Sequence, residues 1–438
     1  MPGSLPCFTG NSPPMTFREI RERLFSRGRF GVRPGLETTR QILDRLGNPE
    51  RQFPVIHIAG TNGKGSTAAF LASILQAGGY RTALFTSPHL ISYTERFLIN
   101  DVEITEEVLV PLAEQVLAVA PAEATFFELT TALALLYFAE ERVDLAVMEV
   151  GMGGRLDATN AVAGILSVIT PVSLDHCRYL GETIRDIAAE KAGVITGSEP
   201  VVCSVQDDET LSVIDARCAA TGAKLYRSGY EFHAEWDRGG LTYQGLHSLL
   251  PGLVPGIPGA YQRDNAACAL AAAELLSDQG FPLSVAHLSR GIESAFWPGR
   301  MELFPGPPPM LLDGAHNPAG VAALLASLER DGRGRLLLVL GVMTDKDRDG
   351  MLAPLLTLAD EVITVSVGLP QAASADELAA YCAMRGAKAI AAESVAQGLA
   401  TASNRAGHDD LILVTGSLYL VGEARGVLLN QPSHPFQG

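Results

Sequence analysis

Cysteine is scarce and unpatterned in this chain: six residues in 438, Cys7, Cys177, Cys203, Cys218, Cys268 and Cys382, with no CxxC pair among them. That argues against a zinc ribbon and a disulfide scaffold, and it predicts reduced thiols in a cytoplasmic protein. Long apolar runs are missing as well. Stretches such as Thr131–Ala139 fall far short of the roughly 20 residues that a membrane span needs. Basic residues are in deficit, 33 Lys and Arg against 49 Asp and Glu, a formal net charge of −16. Such an acidic field repels nucleic acid and anionic membranes, so an anionic substrate must meet a locally positive pocket. No internal repeat or low-complexity tract occurs. Residues 1–16, rich in Pro, Gly and Ser, lack the basic-then-apolar order of a signal peptide and read as a loose extension.

What the chain does have is alternation. The length predicts two or three domains, and 47% hydrophobic with 19% charged residues is ordinary globular composition. Apolar β-like runs at Val55–Ala59, Ala83–Thr86, Leu145–Val150, Ile165–Thr170 and Val201–Val205 are separated by helix-like stretches such as Ser66–Ala77, Leu129–Glu140 and Thr183–Ala192. This predicts an α/β fold with a mainly parallel sheet covered by helices. Residues 224–258 read as a hairpin or small side sheet, and Tyr261–Leu276 as an alanine-rich helix. After Trp297-Pro298-Gly299-Arg300 a second series begins, with strands at Met310–Leu312, Leu336–Leu340, Glu361–Val367 and Leu411–Thr415. The boundary falls near Ser294–Arg300, giving a larger α/β domain over 17–297 and a smaller Rossmann-like domain over 298–438.

The most specific segment is His57-Ile58-Ala59-Gly60-Thr61-Asn62-Gly63-Lys64-Gly65-Ser66-Thr67. An apolar strand enters a glycine-rich turn, and Lys and Ser-Thr then open a helix. Glycines let backbone amides approach phosphate oxygens, and the helix N-terminus adds positive potential. Lys64 can reach terminal phosphates; Ser66 or Thr67 can offer a hydroxyl to phosphate or Mg²⁺. The strict phosphate-loop pattern places Ser or Thr directly after Lys, and here Gly65 intervenes.

Glu149 ends an apolar strand, where ligands of doubly wound sheets gather, and it is a candidate Mg²⁺ anchor or else a solvated strand-end carboxylate. His176 follows another strand; alone, a satisfied structural histidine explains it equally well. Thr183 can cap a helix in which Ile184, Ile187, Ala188 and Lys191 share one face, so Lys191 lies on the apolar stripe. Burial lowers an ammonium pKa, and a neutral amine can take up carbon dioxide as a carbamate; the periodicity supports the burial only. In the second series a strand delivers Asp313 and His316 to a turn, where an Asx-type cap by Asn317 is the alternative. Arg300 can clamp phosphate. Thr344–Asp347 and Thr415–Tyr419 lie at further strand ends.

Eleven ordered words run through the chain: HIAGTNGKGST, TSPHL, ERF, FFELTTALAL, MEVGMGGRLDATN, SLDH, LGETIRDIAAEKAGVI, PGRME, LDGAHNP, DKD and VTGSLYL. With the opening FGVRPGLETTRQILDRLGNP they resemble the folylpolyglutamate synthase/dihydrofolate synthase branch of the Mur ligase family over nearly all of residues 17–428. The resemblance implies an ATP-dependent amide ligase joining L-glutamate to dihydropteroate or a folate through an acyl phosphate. It gives ATP to Asn62, Gly63, Lys64, Gly65, Ser66, Asn265, Arg300 and Asp313, with His316 beside them. Mg²⁺, as two ions, falls to Ser87, Glu149 and His176, K⁺ is compatible, and Lys191 becomes the carbamylated lysine. Phe126, Phe127, Glu128, Leu156, Asp157 and Ala158 would line the pterin pocket. Lys64, Lys191 and His316 would serve catalysis, in a monomer with no nucleic-acid or membrane partner.

Many relatives continue SLDH, after one further residue, with Asp and Trp, whereas here Arg178 and Tyr179 follow Cys177, which bears on substrate preference. Two other readings stand beside this one. A Mur-type ligase acting on a nucleotide sugar would need a further N-terminal domain of roughly a hundred residues, and about fifty precede the loop. A P-loop ATPase without ligase activity would turn over without an acceptor.

Overall fold

The computed structural model describes residues 15–30, 35–328 and 334–431, so most of the extension expected over 1–16 lies outside the described residues. Three sheets form. The first has eight strands: β1 (Val55–Ala59), β2 (Thr82–Phe85), β3 (Phe97–Ile99), β4 (Val102–Glu103), β5 (Leu145–Glu149), β6 (Leu166–Ile169), β7 (Val201–Cys203) and β8 (Leu225–Arg227). Their order is β4-β3-β2-β5-β1-β6-β7-β8. The strands from β2 to β8 in this order pair in parallel, and only the β2–β3 and β3–β4 pairs are antiparallel. β1 and β5 are buried at every position, as expected of parallel strands covered on both faces.

The helix Lys64–Ala77 is buried from Gly65 to Leu75 and so shows no amphipathic stripe. It packs between the sheet and the helices Gln262–Asp278 and Val285–Ser294. On the other face lie Phe17–Phe25, Glu37–Arg45, Glu106–Val119 and Phe126–Glu140. Residues 224–258 supply β8 and then an antiparallel side sheet of β9 (His233–Asp237), β10 (Gly240–Gln244) and β11 (Leu249–Leu253).

The third sheet contains β12 (Glu302–Phe304), β13 (Met310–Leu312), β14 (Leu336–Leu340), β15 (Glu361–Thr364), β16 (Ala389–Ala391) and β17 (Leu411–Thr415). Its order is β12-β13-β17-β14-β15-β16, parallel except for β12–β13. A separate apolar cluster covers each face. β15 ends at Thr364, short of the Val367 expected. Cys177, Cys203, Cys218, Cys268 and Cys382 are free, and no helix among the described residues is long and apolar enough to cross a membrane.

Candidate active site

The loops at the carboxyl ends of both large sheets face one another. β1 lies between β5 and β6, pairing Ile58 with Glu149 and Ala59 with Ile169, so the glycine loop, Glu149 and the loop carrying His176 emerge side by side. This is where ligands collect in open α/β sheets. Asn62, Gly63, Lys64, Gly65, Ser66, Ser87, Glu149, His176, Lys191, Arg300, Asp313 and His316 all line one cleft of about 1000 Å³, part of it open to solvent.

The loop is built for close approach. Gly63 has φ +87°, and a Cβ there would lie 2.3 Å from Asn265 Oδ1. Asn265 thus backs the loop rather than lining the cleft. It donates to Gln262 Oε1 at 2.8 Å, and Gln262 in turn donates to Ser66 Oγ at 3.3 Å. A Cβ on Gly65 would lie 2.8 Å from Trp297 Nε1, which accounts for the residue that breaks the strict pattern. Lys64 Nζ donates to Thr61 O at 3.2 Å.

Glu149 is buried and accepts the Ser87 amide at 3.1 Å. Burial pushes its carboxyl up, while Lys64, that amide, Arg300 and Arg96 oppose the shift. Its oxygens and the Ser87 hydroxyl suit Mg²⁺. Burial lowers the His176 imidazole to about 4, leaving it neutral with a lone pair to offer. Among the described residues no group of three His, Cys, Asp or Glu is arranged for a metal. A metal held by Glu149, His176 and Ser87 therefore depends on phosphate or water for the rest of its shell.

Lys191 sits on the buried face of the helix Ile184–Ala192, which opens with a Thr183–Asp186 capping box. Its Nζ donates to Gly60 O at 2.6 Å. Burial, reinforced by Lys64, lowers its pKa to about 7.

From the second sheet, Asp313 is buried and accepts Tyr261 OH at 2.9 Å, Met301 N at 3.0 Å and Ala315 N at 2.9 Å. Burial raises its carboxyl, with Arg300 opposing. His316 Nδ1 donates to Gly314 O at 2.8 Å; burial and Lys346 hold the ring at about 4, so it is neutral and Nε2 is bare. Asn317 caps the helix Pro318–Ser327 and also reaches across the cleft.

The residues that the resemblance gives to pterin lie behind this cleft. Phe127 packs against Gly151, and Phe126 is buried beside Phe25 and Tyr93 with Arg96 over its ring at 5.2 Å. The Glu128 carboxylate accepts Thr125 N and Oγ1, both at 2.8 Å, closing a capping box. Asp157 accepts Met152 N at 2.9 Å and Thr159 Oγ1 at 2.7 Å; Ala158 is buried, and Leu156 is not among the residues that line the cleft. The sequence reading passed over Tyr261 as the Asp313 partner. It also missed the pairing of Asp175 with Lys346, two groups 171 positions apart and so invisible to spacing.

Two Rossmann-like sheets, a phosphate loop and a cleft between their carboxyl edges define an ATP-using ligase architecture of the Mur type. The profile of the Mur ligase middle domain matches residues 58–273, and that of the Mur ligase glutamate ligase domain matches 299–418. A Bacillus subtilis dihydrofolate synthase/folylpolyglutamate synthase is 36% identical over 428 residues, 93% of this chain and 98% of that one. Escherichia coli FolC, solved with DHPP and ADP, superposes with a TM-score of 0.87 at 32% identity, covering 96% of this chain and 98% of that one. The bifunctional Yersinia pestis enzyme, solved with AMPPNP and a Mn ion, gives 0.87 at 32%, covering 96% and 100%. The chain belongs to the dihydrofolate synthase/folylpolyglutamate synthase family of Mur ligases.

Proposed function

We propose that this chain joins L-glutamate to the carboxylate of dihydropteroate, of a (tetrahydro)folate, or of both, at the expense of ATP. The carrying observation is that the phosphate loop and Glu149 of one sheet, with Arg300, Asp313 and His316 of the other, line a single cleft. Domains over 17–297 and 298–438 meet there. A carboxylate is a poor acyl donor because its leaving group would be oxide. Attack of a carboxylate oxygen on the γ-phosphorus releases ADP and gives an acyl phosphate. The glutamate amine then attacks the acyl carbon, phosphate leaves, and an amide remains.

The loop amides, the N-terminus of the helix Lys64–Ala77 and Lys64 stabilise charge on the transferred group. Ser87, Glu149 and His176 fit Mg²⁺, which when bound would neutralise phosphate charge. Two ions would be held here, with a carbamate on Lys191 helping to set the second ion or the incoming amine, and K⁺ is compatible as a further cation. His316 presents an unprotonated Nε2 that can accept from the incoming amine and orient it. Phe126, Phe127, Glu128, Leu156, Asp157 and Ala158 shape the pterin side behind Gly151 and Met152. The Yersinia complex with AMPPNP and a Mn ion and the FolC complex with DHPP and ADP support a nucleotide, a divalent metal and a second small molecule as ligands.

Phosphate release tests the reading. ATP alone should give little; adding dihydropteroate and glutamate should start turnover, with a product heavier by one glutamyl unit in the mass spectrum. Lys64→Ala should lose about a hundredfold or more. Acceptor-independent release with no new amide would favour a P-loop ATPase instead.

A further inference from the structure

A histidine stands where the strand pattern calls for an apolar side chain. β1 is buried at every position, and His57 lies in its middle, fully buried between Ile56 and Ile58. Its partners in register are Met148 of β5 and Ser167 of β6. The reaction just described makes no use of His57, and it does not line the cleft. Its Nε2 lies 3.1 Å from Thr159 O. A carbonyl only accepts, so the ring proton sits on Nε2 and is donated. Burial lowers the imidazole to about 4, with the Thr159 bond opposing, so the ring is neutral and carries no second proton. Nδ1 is then bare, with no hydrogen-bond partner among the described residues. A Cβ on Gly164 would lie 2.7 Å from Nδ1, so the chain at Gly164 covers that edge of the ring.

Burying a polar ring with one nitrogen unpaired costs stability, a cost that a leucine there would not incur. The single bond that the ring does make leads to the cleft. Thr159 belongs to the one-turn helix Ala158–Ala161, which Asp157 caps. Its amide and hydroxyl donate to Asp157 Oδ1 at 3.0 and 2.7 Å. Asp157 Oδ2 accepts Met152 N at 2.9 Å, and Gly151 and Met152 line the cleft. Among the described residues Thr159 O otherwise receives only Val162 N, at a long 3.4 Å. An unbroken relay therefore runs from β1 through Thr159 and Asp157 to the turn of Gly151 and Met152. β1 also enters the phosphate loop at Gly60, three residues beyond His57. One strand thus sets the phosphate loop at its end and the acceptor-side turn through a side chain.

We propose that His57 is a positioning residue for the acceptor, holding Asp157 through Thr159 at a fixed height beside the phosphate loop. The inference rests on the ligase reading above, in which Asp157 and Ala158 shape the pterin side. His57 acts on alignment from within the core, and a misplacement of about 1 Å is enough to cost a hundredfold in rate. Nucleotide binding, carried by the loop amides and Lys64, should be nearly indifferent to it.

The test is steady-state ligation of dihydropteroate, with ADP binding alongside, for His57→Leu, His57→Gln, Thr159→Val and the double variant His57→Leu/Thr159→Val. His57→Leu loses the donor at similar volume. It should lower kcat/KM for dihydropteroate about 10- to 100-fold, with KM for ATP and Kd for ADP within about threefold of wild type. Glutamine places an amide nitrogen near the position of Nε2, so His57→Gln should recover most of the rate. Thr159→Val cuts the relay one bond further on and should shift the same parameter in the same direction. The double variant should be no worse than the poorer single variant, since both break one relay. Unchanged acceptor kinetics in His57→Leu, or equal losses for ATP and acceptor, would overturn the assignment and leave His57 a packing residue. A His57→Gln variant no better than His57→Leu, or losses that multiply in the double variant, would overturn it as well. Should His57→Leu not fold, Thr159→Val carries the test, and normal acceptor kinetics in that variant would overturn the proposal. A wild-type protein that does not ligate at all would instead defeat the functional reading.

Discussion

At the scale of the residue, Lys191 shows how burial makes chemistry. Its helix turns Ile187, Ala188 and Lys191 inward, and the amine donates to Gly60 O. With the pKa lowered to about 7, the folded protein binds fewer protons here than the unfolded chain between pH 7 and the ordinary lysine value. Stability linked to this group therefore rises with pH across that window, and below about pH 7 the cost of burying the charge is fully present. Lys191→Met should be more stable than wild type by a margin that is largest at pH 6 and shrinks towards pH 10, read by urea unfolding at each pH. The same neutral amine is what carbamate formation requires. Lys191→Ala should lose most ligation, and added bicarbonate should not restore it. A near-normal rate in that variant would remove Lys191 from the mechanism.

At the scale of the element, the glycine loop and the turn ahead of the third sheet are fitted to each other. Gly65 is tight against the Trp297 indole, so Gly65→Ser, which restores the strict Lys-Ser order, puts a Cβ where Trp297 Nε1 already is. We expect a loss of about 1–3 kcal/mol in unfolding free energy. Trp297→Ala in the same chain should recover part of it, a coupling that a double-mutant cycle measures. Strictly additive losses would mean that the contact does not govern this position.

Much at this scale was legible from residues alone. The strand–glycine turn–helix order of 55–77 and the inward face of 184–191 follow from local pattern. Glu128 was harder. Its Thr125-x-x-Glu128 spacing is a capping box, and the structure commits the carboxylate to Thr125, with the ring of Phe127 nearer the cleft. Asn317 shows two roles at once, the helix cap that spacing suggests and the bridge to Asn62, 255 positions away, that it does not. Local rules reach three or four residues along a helix, whereas the cleft is assembled by topology.

At the scale of the whole molecule, the protein is acidic, and cations and carboxylates share the cleft. Against a net charge of −16, the cleft is lined by Lys64, Lys191 and Arg300 together with Glu149, Asp175 and Asp313. A polyanionic nucleotide is therefore held there by the loop amides and the helix N-terminus together with Lys64 and Arg300, rather than by an excess of positive side chains. The phosphate-loop half can be recognised in isolation. The meeting of the halves cannot, because it depends on β13, β14 and β17 all ending at the edge that faces β1, β5 and β6.

The central claim is that the acceptor carboxylate is phosphorylated before the amide forms. Dihydropteroate carrying ¹⁸O in both carboxylate oxygens, incubated with ATP and glutamate, tests it directly by mass spectrometry of the released phosphate. One ¹⁸O atom should appear in inorganic phosphate for every amide made, with the other retained in the product. Phosphate free of label alongside normal amide formation would contradict the account.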